Sequence, residues 1–211
     1  MDVYKSDDEQ VETIKKWWNE NGKSIVFGVI LGLGAIFGWR YWQSYQLQQA
    51  ETASQLYQNL AGAISQDVNS IEVDTIGNKI VNDFGSTAYA IFTSLIQAKL
   101  AADDGNYEMA ETRLRQAMEI NDNPSIEHLI RIRLANVLLV QERYDDALNI
   151  LDVTEQGEFA AAYDELRADV HVARGGFSQA RELYLSALDK RTTAGLDVTV
   201  LQMKLDDIGR Q

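Results

Sequence analysis

Between Lys23 and Arg40 the chain carries no charged residue, running SIVFGVILGLGAIFGW from Ser24 to Trp39. With Arg40, Tyr41 and Trp42 the stretch reaches 19 residues. As a helix rising about 1.5 Å per residue it covers roughly 28 Å, close to the ~30 Å hydrocarbon layer of a bilayer. Lys23 and Arg40 can snorkel outward at its ends, and Trp17, Trp18, Trp39, Tyr41 and Trp42 supply the aromatic flanks that favour the headgroup region. All four tryptophans of the protein lie here. A cleaved signal sequence calls for small residues just beyond the apolar run, where this chain has Trp39, Arg40, Tyr41 and Trp42, with only Gly38 as a weak cleavage position. The sequence therefore predicts an uncleaved transmembrane helix over 24–42.

Lys15, Lys16 and Lys23 precede this helix, whereas Arg40 is the sole basic residue after it until Lys79. By the distribution of basic residues, the amino terminus is expected in the cytoplasm and the carboxyl-terminal part outside. Residues 41–211 hold 14 Lys and Arg against 26 Asp and Glu, leaving −12 of the overall −13 on that side. Within the span, Gly28 and Gly32, and again Gly34 and Gly38, have the small-xxx-small spacing that lets membrane helices approach closely, a pattern that also arises by chance in a glycine-rich run. In the lead-in over 1–23, Ser6-Asp7-Asp8-Glu9 has capping-box spacing and opens a short amphipathic helix with Val11, Ile14 and Trp18 on one face. Such a helix suits the membrane interface, either positioning the anchor or docking a cytoplasmic partner. Gly22-Lys23-Ser24 matches the tail of a phosphate-binding loop, but Trp17 stands where that loop needs its first glycine.

From 43 to 211 apolar residues recur at three- and four-residue spacing, broken by short polar turns, and no strand pattern stands out. Three segments share an aromatic-x-x-Ala step: Tyr107 to Ala110, Tyr144 to Ala147 and Phe177 to Ala180. Their alanines lie 37 and 33 residues apart, bracketing the 34-residue tetratricopeptide period of paired antiparallel helices. Glycines stand at the turn in the first and third copies (Gly105, Gly175), and Glu142 replaces the glycine in the second. The fold class is thus all-α: a single N-terminal transmembrane helix followed by a tetratricopeptide-repeat-like α-solenoid. Residues 43–66 are expected to continue the membrane helix and pair with 71–83. Residues 196–208 should cap the far end of the stack.

Chemistry is largely excluded. Without cysteine there is no disulfide framework, thiolate metal site or cysteine nucleophile. His128 and His171 have Ile132 and Gly175 at i+4, so neither has the second ligand of a helical metal site. The pairs Asp103-Asp104, Asp145-Asp146 and Asp206-Asp207 fall at turns and helix ends, where solvated capping explains them. No loop has the alternating oxygen ligands of a calcium site. The acidic balance also argues against a nucleic-acid partner, because phosphate binding needs a basic surface. No catalytic, cofactor-binding or metal-binding residue is expected. What remains is a protein-binding concave face, lined by the first helix of each pair and exposing Leu95, Lys99, Ile132, Asn136, Leu139, Glu165 and Asp169, unless these pack between repeats.

The stretch Gln10-Val11-Glu12, Asn19 to Lys23, Gly28 to Gly32 and Gly38-Trp39-Arg40-Tyr41-Trp42 resembles the YfgM family, ancillary subunits of the SecYEG translocon in Gram-negative bacteria. The resemblance runs the length of the chain, its anchor motif being more specific than the repeats. It implies a single-pass inner-membrane protein with a cytoplasmic amino terminus and a periplasmic repeat domain. It implies work with the membrane-anchored periplasmic chaperone PpiD at the translocon, handing emerging secretory client proteins to periplasmic chaperones. An alternative role attributed to the family, restraining the response regulator of the Rcs stress system, would rest on the segment before Lys23. The family has no catalytic motif to carry over.

Overall fold

The computed structural model describes residues 7–66 and 70–209, and side chains for 10–66 and 71–209. Ser6, which opens the predicted capping box, lies outside them. Among the described residues the regular elements are all helical: α1 (Asp7–Ser65), α2 (Ser70–Asp83), α3 (Ala88–Asp103), α4 (Tyr107–Ile120), α5 (Pro124–Val140), α6 (Tyr144–Leu151), a 3-10 turn (Gly157–Phe159), α7 (Ala160–Ala173), α8 (Phe177–Thr193) and α9 (Thr199–Ile208). The chain divides into two units, Met1–Glu51 and Thr52–Gln211.

In the first unit the amphipathic lead-in is not a separate helix; it forms the opening turns of α1, which runs through Gly22 without a break. One helical glycine costs only about 1 kcal/mol, too little to interrupt good helix formers on either side. Trp18 lies over Gly22, where a Cβ would come within 3.1 Å of the indole. Val26, Phe27, Val29, Ile30, Leu31, Leu33, Ile36 and Phe37 are each at least 47% exposed. Apolar side chains displayed all around a helix suit hydrocarbon, since each loses about 1.5–3 kcal/mol when left in water rather than buried. This is the one described helix long and apolar enough to cross a membrane, and it fits a single-pass membrane protein. At its far end the Trp39 and Trp42 rings lie 5.2 Å apart. A Cβ added at Gly28, Gly32, Gly34 or Gly38 would meet nothing within 4 Å among the described residues beyond the helix's own backbone, so both small-residue faces are open there.

The second unit is a stack of helical pairs. Its first buried side chain is Ala53, and Leu60 and Ala63 near the end of α1 pack with Val73 and Ile80 of α2. Then follow α3 with α4, α5 with α6 and α7 with α8. One continuous core joins α3 through α7, built on Leu95, Leu114, Ile130, Leu134, Leu138, Leu151 and Tyr163. The repeat signature explains why pairs pack closely: Ala110, Ala147 and Ala180 are fully buried at the helix crossings. Any larger side chain there would force the helices apart.

The turns repeat as faithfully as the core. Gly105 (φ +75°), Glu142 (φ +60°) and Gly175 (φ +77°) hold the same left-handed position. The next residue's N–H donates back to the helix in each: Asn106 to the Ala101 carbonyl (2.8 Å), Arg143 to Leu138 (2.9 Å) and Gly176 to His171 (2.8 Å). The left-handed residue itself donates to Ala102, Leu139 and Val172 respectively. This pair of hydrogen bonds satisfies carbonyls that the helix end would otherwise strand. Glu142 adopts a conformation that costs a side-chain-bearing residue about 1–2 kcal/mol, so the geometry is imposed by the pair it joins. The α8–α9 turn repeats it once more at Gly195 (φ +68°), with Leu196 donating to Arg191 (2.9 Å). As expected, α9 covers the end of the stack: Leu201 is buried in a cluster with Ala168, Ala180, Tyr184 and Ala187.

Candidate partner-binding groove

Asn123 caps α5 by accepting from the Ser125 and Ile126 N–H groups (3.0 and 3.3 Å), and Pro124 opens the helix with its φ already set. These fix where α5 begins, and hence which of its side chains turn toward α3. Between α3 and α5, with Leu114 of α4 among its lining residues, lies an open groove of about 360 Å³. Leu95, Ala98, Ala102, Leu114 and Val137 make its apolar surface; Lys99, Arg133 and Asn136 are its polar lining.

The polar groups are differently committed. Lys99 is ion-paired with Asp103 one turn along its own helix. The Asn136 amide donates to the Ile132 carbonyl (3.0 Å) and remains exposed. Arg133 is exposed and forms no ion pair or hydrogen bond among the described residues. In a region of net −12, Arg133 beside an apolar floor is a local electrostatic exception.

Of the residues expected on the concave face, the structure brings Leu95, Lys99 and Asn136 together in this groove. Ile132 and Leu139 are half-buried and pack against the α3–α7 core. Glu165 and Asp169, on α7, lie in an ion network: Arg191 donates to Glu165 (2.8 Å), and Lys204 of α9 to both carboxylates (2.9 and 2.8 Å). Tyr184 adds a 2.6 Å hydrogen bond to Asp169. Burial drives the Tyr184 hydroxyl well above its ordinary value, reinforced by Asp169. Burial pulls the Lys204 ammonium down, but hydrogen bonds and charge from Asp169 and Glu165 outweigh it and hold it above its ordinary value.

Sequence reasoning passed over Arg133 and the small floor residues Ala98 and Ala102. The available signal was Arg133's position one turn before Asn136 and Val137 on the same helix. His128 is a packing residue, its Nδ1 2.9 Å from the Tyr163 hydroxyl and its ring stacked on Phe159 at 5.1 Å. No cluster among the described residues has the composition of a metal site.

A profile described as "Tetratricopeptide repeat-like domain" matches residues 15–210, covering the apolar helix as well as the stack. The chain is 32% identical over 212 residues to a protein of Escherichia coli named "Ancillary SecYEG translocon subunit", covering 99% of each. Proteins of the same name from Haemophilus influenzae (31% over 202 residues; 96% of this chain, 97% of the relative) and Neisseria gonorrhoeae (26% over 208 residues; 99% and 100%) are also similar.

Proposed function

Because this chain belongs to the tetratricopeptide repeat-like family of ancillary SecYEG translocon subunits, we propose that it is a non-enzymatic adaptor of the protein-export channel in a bacterial inner membrane. The helix over 24–42 holds it in the bilayer. Residues 1–23 face the cytoplasm, and 43–211 face the periplasm. There the groove between α3 and α5 takes hold of polypeptide segments and links emerging secretory proteins to chaperones such as PpiD.

One observation carries this reading: similarity to the translocon subunits extends through anchor and stack alike, over 99% of the chain in the case of the E. coli relative. A shared repeat alone would report only a fold, since tetratricopeptide stacks serve many ends. A shared span plus stack supports a shared place of work. The basic residues before the span support the orientation, because positive charge is retained on the cytoplasmic side.

Purifying the tagged full chain from mildly solubilised membranes tests the reading. Channel subunits should co-purify at a fixed ratio, and their absence from cells with abundant channel would refute it. Topology is testable separately, since the protein has no cysteine of its own. In intact spheroplasts a membrane-impermeant maleimide should label Glu155→Cys and spare Glu20→Cys; the reverse pattern would invert the chain.

A further inference from the structure

The groove between α3 and α5 is more selective than an apolar trough. Its floor is made of short side chains, Ala98 and Ala102 beside Leu95, Leu114 and Val137, so a cavity of about 360 Å³ opens between two helices. That is room for one or two large apolar side chains and excludes a folded domain. The groove does not end at the cavity. Phe92 stands one turn before Leu95 on α3, Leu129 one turn before Arg133 on α5 and Val140 one turn beyond Asn136, and all three are exposed. Apolar side chains fore and aft of a pocket suit an occupant with length, such as an extended stretch of polypeptide.

Charge then chooses among such stretches. Lys99 is neutralised locally by Asp103, whereas Arg133 has no acidic partner among the described residues. Many of the stack's other arginines are paired with acids: Arg115 with Glu111, Arg131 with Glu127, Arg143 with Glu111 and Asp146, Arg174 with Asp145 and Arg191 with Glu165. Among the described residues Arg113, which donates to Gln116, and the exposed Arg181 are not, but neither lines this pocket. An uncommitted guanidinium at the rim of an apolar pocket favours a carboxylate, which it can meet with two parallel hydrogen bonds. Its distinctiveness is sharpened by the acidic surroundings, which disfavour polyanions at long range but leave this one short-range contact open.

We propose that this groove selects extended polypeptide segments in which a large apolar side chain is followed closely by an acidic one: the apolar group fills the pocket and Arg133 takes the carboxylate. The assignment rests on the adaptor reading above and specifies which segments the adaptor holds.

The test uses the full chain in lipid nanodiscs and three twelve-residue glycine-serine peptides. Each carries a photoreactive leucine followed by glutamate, lysine or serine. Irradiation and mass spectrometry then map adducts. The glutamate peptide should label Leu95, Ala98 or Val137 at least fivefold more than the lysine peptide, with the serine peptide between them. Arg133→Gln should level the three, and Arg133→Glu should reverse the order. Position 133 is exposed, so both changes leave the core untouched. Asn136→Trp, also at an exposed position, should block the pocket and remove adducts from all three.

Equal labelling by the glutamate and lysine peptides, adducts outside the groove, or an unchanged order in Arg133→Glu would overturn the proposal. So would loss of the adducts to competing phosphatidylglycerol vesicles, which would identify the occupant as an anionic headgroup. Co-purification of the channel with Arg133→Glu separates the two claims. If the channel is retained but the native chain shows no acid preference, the adaptor reading stands and this selectivity falls; channel loss from the native chain with acid preference intact has the opposite meaning.

Discussion

Polar groups are buried at both the α2–α3 and the α7–α8–α9 junctions, and they are treated in opposite ways. At the latter, Asp164 is only 5% exposed yet accepts from Ser186 (2.7 Å) and Lys190, with Arg167 3.6 Å away. Glu165 is likewise held between Arg191 of α8 and Lys204 of α9, and Asp169 between the Tyr184 hydroxyl of α8 and Lys204. At the α2–α3 junction, Thr93 Oγ1 and Gln97 Oε1 are buried without a partner among the described residues. The Gln97 amide nitrogen reaches Asp74 and Asn78 only at 3.5 Å, the limit of a useful hydrogen bond. A satisfied charge network fixes one arrangement, whereas an unsatisfied buried amide lowers the cost of separating the helices that enclose it. The α2–α3 seam should therefore open more readily than the α7–α8–α9 junction.

The largest effect that would break the comparison is at Asp164. Asp164→Ala should destabilise the full chain in detergent by about 2–3 kcal/mol, at the low end for a buried pair because Lys190 can turn to solvent. Urea unfolding followed by circular dichroism measures this. A loss under 1 kcal/mol would mean that the network contributes little. Next is Gly77→Ala, whose Cβ would fall 2.6 Å from the Gln97 amide nitrogen. It should cost about 2 kcal/mol, as overpacking does, and much of that should return in the Gly77→Ala/Gln97→Ala double variant.

A smaller effect is expected from Tyr184→Phe, about 1–2 kcal/mol for one hydrogen bond to a carboxylate. It also carries a pH signature. Tyr184 and Lys204 both titrate above their ordinary values of 10.0 and 10.5 in the folded chain. Their contribution is complete below those values and declines as pH rises through and beyond them, because the unfolded chain releases its protons first. Tyr184→Phe should make that alkaline decline shallower. Asp197 behaves oppositely: backbone and side-chain hydrogen bonds from Thr199 hold it below its ordinary 3.8, so those bonds at the start of α9 are lost only in acid. The smallest effect sharpens the comparison by sign. Thr93→Val removes an unpartnered hydroxyl and should stabilise by about 0.5–1 kcal/mol, measurable as slower amide exchange across α2 and α3.

Much of this fold is legible in local spacing. Tyr107 and Ala110, Tyr144 and Ala147, and Phe177 and Ala180 announce helix pairs because the period of a helix fixes which residues share a face. Glu142 stood out as a missing glycine, and its φ of +60° shows the turn persisting without one. The groove was harder to read. Ile132 and Asn136, four apart, differ by only about 40° around α5, yet that step takes Asn136 to the groove and leaves Ile132 packed against the core. Arg133 gains meaning only once α3 and α5 are known to border one cavity. The engagement of Glu165 and Asp169 depends on Lys204, 39 and 35 residues away, a pairing that periodicity does not encode.

The most direct test places a photocrosslinking amino acid at position 136, in the groove, or at position 119, on the exposed side of α4, in the full chain in living cells. The account expects adducts from position 136 with channel subunits, a membrane-anchored chaperone or secretory chains, and few from position 119. Adducts formed from position 119 and none from position 136 would contradict it.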